Sequence, residues 1–213
     1  MKGNNYFWVS LSDLMISMFF VMLVLFAISI AILHNREKVS REALAEIDSI
    51  QQALEGLDKD FFDFDEINKR YKLKVDVRFR PNSYDINDIP LDDRQNILNA
   101  GNSLFLKMKE LIENNSHIDY LVIIEGNTQR FNNNYIDNPD LGYIYSYQRA
   151  LSLVNFWKLY GVDFKKLGPQ CEIIIAGSGY FGYSRDESNE GNNRKFSIQV
   201  TSKVGKYFDS LNF

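Results

Sequence analysis

One cysteine and two histidines are all that the 213 residues contain of the side chains most used for metal binding and nucleophilic catalysis. Cys171 has no second cysteine to pair with, which excludes an intrachain disulfide and leaves only a bridge to another molecule open. His34 and His117 are far apart in sequence, so zinc-site spacings and Ser/His/Asp or Cys/His arrangements lack raw material. A basic excess is missing too. The 24 Lys and Arg are outnumbered by 28 Asp and Glu, and a net charge of -4 supplies no positive field for nucleic acid. The expectation is a protein that is not an enzyme, binds no nucleic acid and needs no cofactor.

Apolar residues are plentiful but crowd into the first 33 positions. From Leu14 to Leu33 the chain carries no charge, no proline and no glycine, with Ser17 and Ser29 its polar residues. About 20 such residues at ~1.5 Å each cross a hydrocarbon core of ~30 Å. A cleavable signal peptide has a shorter apolar stretch and a small-residue cleavage site, and His34-Asn35-Arg36 is no such site. A single transmembrane helix is predicted. Lys2 on one side against Arg36, Lys38 and Arg41 on the other places the C-terminal part on the cytoplasmic side by charge counting alone.

Asp13 interrupts this pattern. On a helix it shares a face with Ser10 and Ser17, and with Tyr6 two turns earlier, while the remaining circumference is Leu, Met, Phe, Val and Ile. A carboxylate in that setting is costly in lipid and suits a group that takes up and releases an ion. It equally suits a helix start, where Asp favours the dipole. Residue chemistry alone leaves both readings standing.

Residues 35–70 are strongly charged and predict a helical linker, a dimer coiled coil or plug. Ile47, Ile50, Leu54, Leu57 and Phe61 recur at spacings of 3 and 4, a seam suited to pairing with a second copy; the alternative is a helix lying on the following domain. Beyond it, Lys72–Phe79 alternates with period two and predicts a strand. A helix follows from Leu91, with Asp92 and Asp93 in its first turn, then a buried strand at 120–124 and a polar loop to Gly142. A second helix over 146–160, a strand over 172–176 and a last strand over 195–201 complete the order β-α-β-α-β-β. The fold class expected is α+β, with helices on one face of a mixed sheet. The domains expected are 1–34, 35–70 and 71–213.

Four short signatures fall on these elements. Ile124-Glu125-Gly126-Asn127-Thr128, Ser146-Tyr147-Gln148-Arg149-Ala150, Ile175-Ala176-Gly177-Ser178-Gly179-Tyr180 and Asn193-Arg194-Lys195 resemble, in that order, the motifs of OmpA/MotB-type peptidoglycan-binding domains over about residues 71–203. Trp8 and Asp13-Leu14-Met15 resemble the entry of MotB-type stator helices, whose aspartate binds the ion. The Ser-Asp-Leu-Met form and the compact chain are similar to the stator-type (ZorB-like) subunits of Zorya anti-phage defence systems.

The resemblance implies a proton- or sodium-driven inner-membrane rotary motor, with Asp13 carrying the ion and Ser10 and Ser17 as its hydroxyl neighbours. It implies two copies of this chain, a homodimer, within a ring of five multi-span MotA/ZorA-like subunits. It also implies a cytoplasmic N-terminus and a periplasmic C-terminal domain, against the charge count. Wall contact would come from Arg149, with Asn127, Thr128, Gln129, Ser146 and Arg194 around it. In the family an Asp and this Arg grip the amine and carboxylate of a diaminopimelate end; Gln129 stands at the Asp position, with Asp137 or Asp140 as substitutes. The alternatives are a passive peptidoglycan anchor and a flagellar-type stator subunit. Residues 35–70 are short for a flagellar linker, which favours defence.

Overall fold

The computed structural model describes residues 4–75, 77, 79–80, 82–116, 118–130, 138–183 and 185–203. The described residues divide into two units, one up to Glu46 and one from Ile47 onward. Helix α1 runs over Asn4–Leu54. Its residues 7–33 are exposed all round, and it is long and apolar enough to cross a membrane. No proline or glycine falls within it to interrupt the hydrogen-bond ladder.

The second unit holds a five-stranded sheet and two long helices. Strands β1 (Phe62–Asp65), β2 (Arg70–Leu73), β3 (Tyr120–Gly126), β4 (Cys171–Gly177) and β5 (Phe196–Ser202) stand in the order β1-β2-β5-β3-β4. β3 and β4 are parallel, and the other pairings are antiparallel. The parallel pair is joined through α3 (Pro139–Leu159), as a crossover requires. Along β3 burial alternates strictly, with Tyr120, Val122 and Ile124 fully buried. The hydroxyl of Tyr120 donates to the Leu111 carbonyl of α2 (Leu91–Asn114), and Gly126 on the same face meets α3. Both helices therefore cover one face of the sheet.

α2 begins at Leu91 as expected, whereas α3 begins at Pro139, seven residues before the expected 146, because a cap and a proline start it within the expected loop. Asn138 accepts from the Asp140 amide, Pro139 opens the first turn and Asp140 favours the dipole. In α2 the buried positions Ile97, Ala100, Gly101, Leu104, Met108 and Leu111 recur at helical spacing. A Cβ on Gly101 would lie 2.4 Å from Trp157 Nε1, so only glycine lets the indole seat there. That nitrogen donates to Ile97 O at 2.8 Å, satisfying the polar atom of a fully buried ring.

Three differences from the sequence reading concern the expected linker and the first expected strand. Ile50, Leu54 and Leu57, the seam expected to face a second copy, are buried in the core of their own chain beside Phe62, with Ala53 and Phe61 packed against it. A short 3-and-4 repeat satisfies either geometry, and burial in its own core wins. The hairpin strand β1 also lies inside the expected linker, giving β-β-α-β-α-β-β. Paired strand geometry ends at Leu73 rather than Phe79, although Val75 and Val77 stay buried. Asp76, Arg78 and Asp137 lie outside the described residues.

Cys171 is buried, and burial pushes its thiol up to about 11. It is neutral at physiological pH and ill suited to the intermolecular bridge left open by the sequence.

Two outcomes test this packing. Gly126→Ala would set a Cβ 2.0 Å from the Ser146 carbonyl, so thermal unfolding should show a loss of about 1–3 kcal/mol. Asp65 accepts from Asn68 and lies 2.9 Å from Lys72 Nζ; burial alone would raise its pKa, but these partners outweigh it and hold it at about 2. The folded value is below the unfolded value of ~3.9, so this contribution is present above that pH and disappears as pH falls towards 2. Asp65→Asn should therefore lose less stability than wild type between pH 5 and pH 2, measured as the denaturant midpoint.

Candidate functional site

The site forms where the C-terminal ends of β3 and β4 meet the start of α3. Gly126 and Gly177 allow the meeting. A Cβ on Gly177 would lie 2.5 Å from Ser146 Oγ and from the Tyr147 amide. Ser146 itself is fully buried; its hydroxyl donates to Tyr143 O at 3.0 Å and accepts from the Gly179 amide at 3.0 Å. The loop after β4 is then fastened to the end of β3. Ser178 N donates to Gly126 O, Thr128 N to Gly179 O, and Arg130 Nη2 to Tyr180 O.

These contacts bring Asn127, Thr128, Gln129 and Arg130 together with Tyr145 and Arg149 of α3, Tyr180, and Arg194-Lys195-Phe196. With Val77, Phe79, Arg80 and Asn82 they line a cleft of about 220 Å³. The four sequence signatures thus converge on one place, although they span 70 residues of chain.

Arg149 is the central cation. Its guanidinium lies 4.9 Å above the Phe79 ring and 6.0 Å from that of Tyr145, and its Nε donates to Ser83 O at 3.1 Å. One edge is thereby fixed while neither terminal nitrogen has a hydrogen-bond partner among the described residues. Burial, and then the Arg194 guanidinium, push Arg149 below the usual value for an arginine. An arginine stays charged nonetheless, so the site holds a desolvated cation facing another cation. Arg194 Nε donates to Gln129 Oε1. An anion with two acceptor oxygens matches this arrangement, because a guanidinium fork binds a carboxylate through two parallel bonds.

Other expected site residues have hydrogen-bond partners within the fold. Asn127 donates to Lys195 O and Ser197 Oγ and accepts from Ser178 Oγ. Thr128 is buried, with its hydroxyl donating to Gly142 O at 3.3 Å. Ser146 does not line the cleft. Asp140 lies in the first turn of α3, away from the lining. In the first unit, Ser10, Asp13 and Ser17 occupy one side of α1, and Ser17 Oγ donates to Leu14 O.

Sequence reading missed Arg80, Arg130, Tyr145, Tyr180 and Lys195 as cleft residues. Tyr180 and Lys195 belong to recognised signatures, and Arg130 and Tyr145 adjoin the expected site residues Gln129 and Ser146, which was the available signal. Arg80 reaches the cleft from the loop before α2 and carried none.

An ionic hub supports the cleft from behind. Glu190 accepts from the Arg130 amide and from Asn193, and pairs with Arg185, whose side chain is 3 % exposed. Burial alone would raise the Glu190 pKa, but Arg185 and the Arg130 amide outweigh it and lower it. Arg185 also donates to Thr128 O at 2.8 Å. Nearby, Ser188 and Asn192 hydrogen-bond the Asp186 carboxylate and hold its pKa well down.

No family model matches the sequence, and no curated protein matches it. Solved structures similar to the chain include the periplasmic domain of Helicobacter pylori MotB, at 14% identity over 70% of this chain and 96% of that one, with a TM-score of 0.42. The cell wall anchor of the type VI secretion system from Pseudomonas aeruginosa is similar at 12% identity, 72% and 96% coverage and a TM-score of 0.38. The OmpA-like domain of FopA1 from Francisella tularensis follows at 15% identity, 66% and 79% coverage and 0.37. These are similarities, and family membership does not follow from them.

Glu190→Ala would leave the buried Arg185 guanidinium without its main partner. Unfolding should show a loss of about 3 kcal/mol, and hydrogen exchange should rise at the Arg130 amide that Glu190 now accepts from.

Proposed function

We propose that this chain is the membrane-anchored, wall-fastened subunit of an ion-driven motor of the MotB type, serving anti-phage defence in the manner of Zorya systems. The observation that carries the wall-fastening half is the convergence of four separate signatures on the Arg149 cleft. A wall peptide ending in a carboxylate supplies the bidentate acceptor that Arg149 lacks.

The motor half rests on Asp13. α1 presents a carboxylate on a helix otherwise suited to lipid, next to Ser10 and Ser17. Such a group is stable in a membrane against a partner or a water-filled path, and a passive anchor has no need of it. Proton or sodium binding neutralises the charge and removes a desolvation cost of several kcal/mol. That change alters which helix contact is favoured, so ion passage is converted into a step of a surrounding ring of multi-span subunits. The N-terminus is cytoplasmic and the second unit periplasmic in this arrangement, with two copies of the chain per ring. Its holding force comes from the wall, and its chemistry is ion transfer rather than catalysis.

The two halves separate experimentally. With the multi-span partner reconstituted in vesicles, Asp13→Asn should abolish ion flux and phage protection while the complex assembles and sediments with purified sacculi. Arg149→Ala should lower sacculus sedimentation by about tenfold or more, as expected for a lost charged fork, with unchanged ion binding at Asp13. Undiminished flux in Asp13→Asn contradicts the motor; undiminished sedimentation in Arg149→Ala contradicts the cleft as the wall site.

A further inference from the structure

The charge of the cleft points to a narrower ligand than the wall in general. Among the described residues its lining carries Arg80, Arg130, Arg149, Arg194 and Lys195, and no Asp or Glu. Two of these cations have carboxylate partners just outside the cleft: Arg80 with Asp88 at 3.2 Å and Arg130 with Glu187 at 3.3 Å. Arg149, Arg194 and Lys195 make no ion pair among the described residues. Gln129 stands where the resembled domains have an aspartate, and it cannot supply a negative charge. Its one acceptor oxygen is already taken by Arg194 Nε. Asp88, outside the lining, offsets part of the charge of Arg149, and an ammonium group entering here would still meet Arg149, Arg194 and Lys195 with no carboxylate among the described lining residues, which is unfavourable in a partly desolvated site.

Resting on the wall-binding reading, we propose that the cleft selects a dicarboxylate end whose amino group is absent or acylated, and rejects the free zwitterionic amine. Arg149 takes one carboxylate through its two terminal nitrogens, which have no hydrogen-bond partner among the described residues. Arg194 and Lys195 lie on the same cleft wall to receive the second. The aromatic faces of Phe79 and Tyr145 keep the Arg149 plane fixed, so little side-chain freedom is lost on binding. Discrimination comes from the missing acid at position 129. It is built into the site by an absent attraction and a present repulsion.

Pimelate and meso-diaminopimelate share one seven-carbon dicarboxylate skeleton and differ in the two ammonium groups. Titration calorimetry of the full chain in detergent micelles, in a phosphate-free buffer, should find pimelate binding at least as tightly as diaminopimelate. Gln129→Asp should shift the preference towards diaminopimelate by about tenfold, the usual scale of one charge-assisted bond. Arg149→Ala should weaken pimelate by about tenfold or more. Thermal unfolding of each variant confirms that it is folded. A wild-type preference for diaminopimelate, no measurable binding of either compound, or pimelate binding indifferent to Arg149→Ala overturns the inference. Sacculus sedimentation of the same preparation is read in parallel. Sedimentation retained alongside a diaminopimelate preference removes the inference and leaves wall binding standing, whereas loss of sedimentation removes both.

Discussion

The close approach of two strand ends to the first turns of α3 is the constraint on which the second unit depends. Gly126 and Gly177 sit beside each other on parallel strands, and a methyl group on either would collide with the Ser146 turn. Ser146 converts the approach into a joint by donating to its own helix and accepting from Gly179. Without that joint, β3 would hand its following residues to solvent and Arg149 would stand alone on a helix. With it, Asn127–Arg130, Arg149, Tyr180 and Arg194-Lys195 share one cleft. Serine and glycine here are choices of size, and the site follows from them.

Electrostatics sets a second level of organisation. The negative charges nearest the cleft are used behind it, in the Glu190–Arg185 hub and the Asp88–Arg80 pair. A chain with net charge -4 thereby assembles a locally cationic cleft. In the first unit the proportions reverse. Within the stretch 7–33 one carboxylate, Asp13, stands among side chains that are mostly apolar. Cations that await an anion and an acid that awaits a cation are the two chemical assets of the chain, and the proposed motor uses one to hold and the other to drive.

Much of this was legible in the sequence. The continuous apolar run Tyr120–Ile124 and the helical spacing from Ile97 to Leu111 gave β3 and α2, because the first is a short buried run and the second has one face to bury. The membrane-length helix was legible because its apolar residues are uninterrupted. The fate of Ile50 and Leu54 was not, because a seam that buries against a second helix and one that buries in its own core have the same spacing. β1 escaped notice because Phe62-Asp63-Phe64-Asp65 is only four residues long. At the site, Arg149 and Gln129 were legible through motif order, and the fork's freedom was not. It depends on Ser83 and Phe79, which reach Arg149 from a segment 66 to 70 residues earlier. Asn127 and Thr128 carry binding-type side chains whose polar atoms are used up in holding the scaffold, a distinction that only the hydrogen-bond partners make.

Because the central claim joins an ion-carrying helix to a wall-binding domain, the composition of the native complex tests it most directly. The chain would be tagged at its C-terminus, extracted gently from native membranes, and the mass of the intact assembly measured. The account predicts two copies of this chain with a larger multi-span subunit in excess, near five copies. A chain that emerges without a multi-span partner and sediments with sacculi would contradict it, leaving Asp13 as the start of a helix and the protein as a passive anchor.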